Sequence, residues 1–227
     1  MDGNGRWAKE RGLKRIDGHR QGAKQIEKVL EAAKDAGVEF LTLYAFSSEN
    51  WNRPKEEVDA LMALLSAAIR ENRKSFIENS VRFRTIGNID ALPRNCVDEI
   101  RALQDETKNF DNQTLVLALN YGSRDELVRA FGKMARDVAD GRLSPEKISW
   151  QTIAENLDTA DIPDPDLLIR TSGEMRLSNY LMLQAAYAEL YFTKTYWPDF
   201  GADDFAEALR QYRLRERRYG LTGEQLK

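Results

Sequence analysis

The sequence predicts a three-layer α/β domain in which a mainly parallel central sheet is flanked by helices, and three observations carry that reading. Helical stretches alternate with short apolar runs; the runs alternate little between polar and apolar, as strands covered on both faces do; and polar clusters follow them, where open parallel sheets bind ligands. No repeat, low-complexity tract or linker divides the chain, so residues 1–227 are expected to form one domain.

Ile26, Val29, Leu30 and Ala33 recur at helical spacing and predict a first helix up to about Ala36, with Gly37 just past its end. Residues 38–46 form the first apolar strand, which stops at Ser47-Ser48-Glu49-Asn50. Pro54 suits the first turn of a long helix ending near Glu78, whose stripe is Val58, Leu61, Met62, Leu65, Ala68 and Ile69. Residues 81–86 read as a strand, Cys96, Ile100 and Leu103 as the buried side of a third helix, and residues 114–119 as a buried strand closed by Asn120-Tyr121-Gly122. Leu127, Val128, Phe131, Ala135 and Val138 mark the apolar side of a fourth helix, ended by Gly141. A polar segment through Pro145 and Trp150 leads to Asp164-Pro165 and then to a short strand, Leu167-Leu168-Ile169. A helix from about Ser178, a strand at 190–192 and a charged helix from Asp203 complete the alternation.

With 34 Lys and Arg against 37 Asp and Glu, the chain has no bulk basic field to hold nucleic acid, so anion binding must be local. Cys96 and His19 are each alone of their kind, which excludes an internal disulfide and a Cys/His zinc site. A metal would need oxygen ligands, which favours a magnesium-like cation. No run approaches the ~18 apolar residues of a membrane span, and no charged-then-apolar leader opens the chain. A cytoplasmic location is expected, with peripheral membrane contact left open.

Three polar clusters stand where ligands are expected: residues 2–7 (Asp2, Gly3, Asn4, Gly5, Arg6, Trp7), residues 47–54 and residues 170–178. The first sets two glycines between a carboxylate and an arginine, where backbone N–H groups can meet a phosphate; a plain Asn-Gly turn explains it as well. It lacks the third glycine of the dinucleotide fingerprint and the Gly-Lys-Ser/Thr ending of a P-loop. Arg15 and His19, four apart, would share a helix face and could point at an anion, or be ordinary solvated surface. In the third cluster Arg170 directly follows a strand, and Arg176 and Ser178 stand at the expected start of a helix. The competing reading is two surface arginines, one paired with Glu174. Glu189 is a carboxylate inside an apolar run and must find a cation, a metal or hydrogen-bond donors. Together these groups imply two phosphate-like anions and a hard metal at Asp2, with no clear nucleophile–base pair, so chemistry by binding, orienting and ionising pyrophosphates is expected.

The segments Met1-Asp2-Gly3-Asn4-Gly5-Arg6-Trp7-Ala8, Gly18-His19, 41–51, 169–179, 188–192 and Trp197-Pro198-Asp199-Phe200, in that order, resemble the cis-prenyltransferases, in particular those of the bacterial undecaprenyl pyrophosphate synthase type. The resemblance runs from Met1 to about Gly220. It implies an undecaprenyl pyrophosphate synthase-like fold and a homodimer that uses Mg2+ to add isopentenyl pyrophosphate units to farnesyl pyrophosphate. The product would be the lipid carrier precursor of cell-wall polysaccharides. By the same resemblance Gly3, Asn4, Gly5, Arg6, Arg15, His19 and Arg53 hold the allylic pyrophosphate, while Arg170, Arg176 and Ser178 hold the isopentenyl pyrophosphate. Asp2 binds the metal and assists departure of the leaving group, Asn50 lies near the proton that is lost, and Glu189 supports the metal. Trp7, Ser47, Glu49 and Trp51 join the substrate-binding set, Phe46 and Glu57 shape the pocket, and Arg218-Tyr219-Gly220 reaches the partner subunit. Val58, Leu61, Met62, Leu65 and Ile69 are a candidate wall of a tunnel for the growing tail, though ordinary core packing is the expected role of most of them. The family pattern has a short apolar strand just before Met1, and the natural chain is expected to extend upstream. The rivals are a non-catalytic pyrophosphate-binding subunit of the same fold, against which Asp2, Asn50, Arg170, Arg176 and Glu189 argue, and a nucleotide-binding oxidoreductase, against which the missing fingerprint argues.

Overall fold

The structure, a computed structural model, describes residues 1–216. Strands β1 (Phe40–Ser47), β2 (Val81–Ile86) and β3 (Gln113–Tyr121) form a parallel sheet in the order β1-β3-β2. A second parallel pair joins β4 (Leu167–Arg170) to β5 (Glu189–Phe192). The parallel layer therefore comes in two pieces, because no described strand bridges β1 and β4. Helices α1 (Asn4–Glu10), α2 (Arg15–Asp35), α3 (Lys55–Glu78), α4 (Arg94–Thr107), α5 (Ser123–Ala139), α6 (Trp150–Ala154) and α7 (Ala202–Arg213) surround the sheets. Residues 218–220, expected to reach a partner, lie outside the described residues.

All nine residues of β3 are buried, as a run without alternation requires of a central strand. Its pleat divides them between two cores. Leu115, Leu117 and Leu119 pack with Val29 and Leu30 of α2, Met62 and Ile69 of α3, and Ile100 and Leu103 of α4. Val116 and Ala118 face a smaller cluster with Ile86, Tyr121 and Leu181, against which Tyr44 and Tyr180 stack with ring centroids 4.4 Å apart. Each fully buried leucine contributes about 1.5–3 kcal/mol. Helix α2 ends as Gly37 predicts: at φ 77° it lets Gly37 N–H reach the Lys34 carbonyl and Val38 N–H the Ala33 carbonyl.

Two sequence expectations fail. Helix α5 does not bury Leu127, Val128, Phe131 and Ala135; it buries Ser123, Glu126, Ala130 and Met134, leaving Val128 71% and Phe131 50% exposed. Glu126 turns the helix, because its carboxylate accepts the Tyr121 hydroxyl (2.6 Å), the Gln184 amide (3.1 Å) and Asp158 N–H (3.0 Å). Burial, only partly offset by those bonds, raises its pKa. Nor does a helix begin near Ser178. Ser178, Asn179 and Leu181 have φ of 52°, 61° and 44°, which a right-handed helix cannot contain, and only a short 3₁₀ turn follows at Gln184–Tyr187.

Candidate active site

The first cluster is not a plain turn. Gly3 has φ 99°, and a Cβ there would lie 2.5 Å from the Tyr196 ring, so glycine alone fits before α1 begins at Asn4. Gly18 presents a bare patch of α2, where a Cβ would meet the Asn4 carbonyl oxygen at 2.0 Å, and this brings α1 directly onto α2. Asp2 is pinned through its backbone: its N–H donates to Thr171 Oγ1 (2.9 Å), that hydroxyl donates to Asp2 O (2.9 Å), and Asp2 O also accepts Trp197 N–H (3.0 Å).

The pinned Asp2 carboxylate accepts Gly3 N–H (2.7 Å) and Arg170 Nη2 (3.1 Å). Burial opposes its ionisation, but the Arg170 and Gly3 hydrogen bonds outweigh it, and its pKa is lowered. Arg170, at the carboxyl end of β4, also donates to Ser178 Oγ (2.9 Å) and to the Arg176 carbonyl. Glu174 bridges Arg6 (2.8 Å) and Arg176. Arg6 further donates to Ser172 Oγ and lies 3.7 Å from Asp2 Oδ1. Within the chain Arg6 thus bonds to the third cluster; the resemblance groups it with Arg15 and Arg53.

Those two arginines form a second centre. Arg15, from the start of α2, and Arg53, just before α3, both bind Glu57 Oε1, at 3.2 and 3.0 Å. Arg15 lies over the bare face of Gly5, where a Cβ would be 3.1 Å from its guanidinium carbon. His19 shares the face of Arg15, as their spacing requires, and its Nε2 has no protein partner. Burial, with Arg53 and Arg15 adding to it against Glu57, lowers the His19 pKa to about 4, so the ring is neutral at pH 7.

Both centres border one cavity of about 950 Å³, at the upper end of small-molecule sites. Asp2, Gly3, Asn4, Gly5, Arg6, Arg15, His19, Ser47, Asn50, Arg53, Arg170, Arg176 and Ser178 line it, as do all residues of β1, including Ala45, and of β4. Its deeper wall is apolar, with Leu61, Met62, Leu65, Ile69, Phe76 and Phe83; Val58, also proposed as wall, is core instead. The polar groups gather past the carboxyl ends of β1 and β4.

Five predicted residues do not line the cavity: Glu57, which binds Arg15 and Arg53, and four others. Trp7 donates to Asp199 Oδ1 (2.7 Å) and carries the Arg11 guanidinium 4.4 Å from its ring centroid. Trp51 donates to Asn120 Oδ1 (2.8 Å) with its ring edge-on to Phe46, and Glu49 accepts the Asn179 amide (2.7 Å). Glu189 begins β5, three register positions behind the pair Arg170–Phe192, and binds Arg215 at 2.7 Å. This is why it does not join Asp2: parallel pairing puts the two carboxylates at opposite ends of the short sheet. Among the described residues no three His, Cys, Asp or Glu side chains converge as a metal cage. One carboxylate beside a phosphate site does fit Mg2+, which is commonly held by one or two carboxylates plus substrate phosphates. Sequence reasoning missed Thr171 and Asn179 as anchors. The one signal for either was its place in a longer motif.

Guanidinium groups and a carboxylate beside an apolar cavity suit a molecule that is pyrophosphate at one end and hydrocarbon at the other. Residues 1–220 match the family described as "Putative undecaprenyl diphosphate synthase". The isoprenyl transferase of Agrobacterium fabrum is 50% identical over 226 residues, covering 100% of this chain and 92% of that protein. That of Porphyromonas gingivalis is 49% identical, covering 100% and 89%. The crystal structure of lavandulyl diphosphate synthase from Lavandula x intermedia, in complex with dimethylallyl diphosphate, superposes with a TM-score of 0.94 at 36% identity, covering 97% of this chain and 95% of that one. The chain is an enzyme of the prenyltransferase class. It belongs to the undecaprenyl diphosphate synthase family of cis-prenyltransferases.

Proposed function

We propose that the chain condenses isopentenyl pyrophosphate units onto an allylic pyrophosphate such as farnesyl pyrophosphate, giving a long-chain polyprenyl pyrophosphate of the undecaprenyl type used as a cell-wall lipid carrier precursor. The observation that carries this reading is the pair of arginine centres bordering one apolar cavity. Arg15 and Arg53, with neutral His19 and the backbone of Gly3, Asn4 and Gly5, receive the allylic pyrophosphate. Arg170, Arg176 and Ser178 receive the isopentenyl pyrophosphate, and Arg6, which lines the same cavity, turns to the allylic pyrophosphate. The dimethylallyl diphosphate in the lavandulyl diphosphate synthase complex supports an allylic ligand here too.

Asp2 would hold Mg2+ together with pyrophosphate oxygens, and the bound metal supplies charge neutralisation for the departing pyrophosphate. The arginines share that task through charge-assisted hydrogen bonds. Asn50, whose Oδ1 accepts Ser47 N–H (3.2 Å), lines the cavity, which supports the role near the lost proton that the resemblance implies. The apolar wall excludes water from the allylic cation and gives the tail its space. Within one chain Glu189 binds Arg215 and not the Asp2 site. The homodimer that the resemblance implies is part of this reading. No helix among the described residues is long and apolar enough to cross a membrane.

The test is incubation with farnesyl and labelled isopentenyl pyrophosphates, with and without Mg2+, followed by sizing of the extracted lipid. Magnesium-dependent product many units longer than farnesyl is expected; products that stop after one addition, or full activity in excess chelator, would overturn it.

A further inference from the structure

Asn179 follows directly on Ser178 and makes three separate connections. Its carbonyl accepts Ser123 N–H (2.8 Å), and its side-chain Oδ1 accepts Arg124 N–H (2.9 Å). These are N–H groups of the first turn of α5, which has no hydrogen-bonding side chain at its own Gly122 cap. The third connection leaves α5: Asn179 Nδ2 donates to Glu49 Oε1 at 2.7 Å, across to the loop that carries Ser47 and Asn50. Gly122 permits this crossing, since a Cβ there would lie 2.6 Å from both Asn179 Nδ2 and Ser48 Oγ. The backbone of Asn179 stands at φ 61°, a conformation Asn and Asp adopt at less cost than other side-chain-bearing residues.

The consequence lies one residue back. Arg170 fixes Ser178 through its hydroxyl, and Asn179 fixes it through the main chain. We infer that Asn179 is a positioning residue for the isopentenyl pyrophosphate site, clamping the Arg176–Ser178 loop to the start of α5 and, through Glu49, to the loop after β1. This inference rests on the proposed division of the two pyrophosphates. The amide serves the role where a carboxylate cannot, because one end must accept from α5 while the other donates to an anion.

Asn179→Asp separates the two ends: it keeps the acceptor for Arg124 N–H and the tolerated backbone, but sets a second carboxylate against Glu49. Losing a charge-assisted hydrogen bond and gaining repulsion should raise KM for isopentenyl pyrophosphate by about tenfold. KM for farnesyl pyrophosphate should stay within about twofold, and Tm should stay close to wild type, because the α5 connection remains. Adding Glu49→Gln restores a donor–acceptor pair, so the double variant should bind isopentenyl pyrophosphate several-fold better than Asn179→Asp alone. A wild-type KM in Asn179→Asp, an equal rise for both substrates, or no recovery in the double variant would overturn the inference while leaving the function intact. Failure of the wild-type chain to elongate farnesyl pyrophosphate would overturn the functional reading, and the inference with it.

Discussion

The two arginine centres share one device and differ in what holds it. In each, a single glutamate bridges two guanidiniums: Glu57 between Arg15 and Arg53, Glu174 between Arg6 and Arg176. The first hangs on α2 and α3, helices of 21 and 24 residues with buried apolar faces. The second hangs on residues 170–181, where Ser172, Gly173, Ser178, Asn179 and Leu181 all take positive φ. Long helices carry Arg15 and Glu57 of the first; turns, Arg170 and tertiary hydrogen bonds hold Glu174 and Arg176 of the second. The loop-borne centre should therefore be the more sensitive to loss of any one anchor.

The largest effect is expected where that loop meets Asp2. Asp2→Ala should lower kcat by about two to three orders of magnitude, as loss of a group that stabilises transition-state charge does. Its fold should hold, since Thr171 and Trp197 grip the backbone rather than the side chain. Full turnover in this variant would remove Asp2 from the site. Next in size is Arg170→Ala, which frees both Asp2 and Ser178 and should lower kcat as well as raise KM for isopentenyl pyrophosphate, each by roughly tenfold or more. A pure KM effect would show that Arg170 binds substrate without positioning Asp2.

The contrast also explains what the sequence made legible. The α2 and α3 stripes, the Gly37 end and the shared face of Arg15 and His19 all follow from the 3.6-residue period, and the structure has them. Residues 178–181 obey no period. A helix from Ser178 was expected, but the left-handed backbone that excludes it depends on partners distant in sequence, in α5 and the loop after β1. Helix α5 misled for a related reason: Leu127, Val128, Phe131 and Ala135 make a convincing stripe, and only the Tyr121, Gln184 and Asp158 bonds to Glu126 reveal the other face as inner. The ion pair of Arg6 with Glu174, distant in sequence but 2.8 Å away, has no sequence signal at all.

A smaller effect should come from the helical centre. The His19 pKa is about 4 in the fold against an ordinary value of 6.5, so the unfolded chain binds the extra proton between those values. Stability from keeping this ring neutral is present above about pH 6.5 and lost as pH falls toward 4. His19→Gln should flatten the fall of Tm across that window, in a field set by Arg15, Arg53 and Glu57. An unchanged Tm profile would mean that His19 is not the titrating group.

The most direct test of two separate anion centres on one cavity is a crossed measurement of KM for both substrates in Arg53→Ala and Arg176→Ala. Arg176→Ala should raise KM for isopentenyl pyrophosphate by about tenfold or more with little change for farnesyl pyrophosphate, and Arg53→Ala should do the reverse. Equal rises for both substrates in both variants would contradict the account.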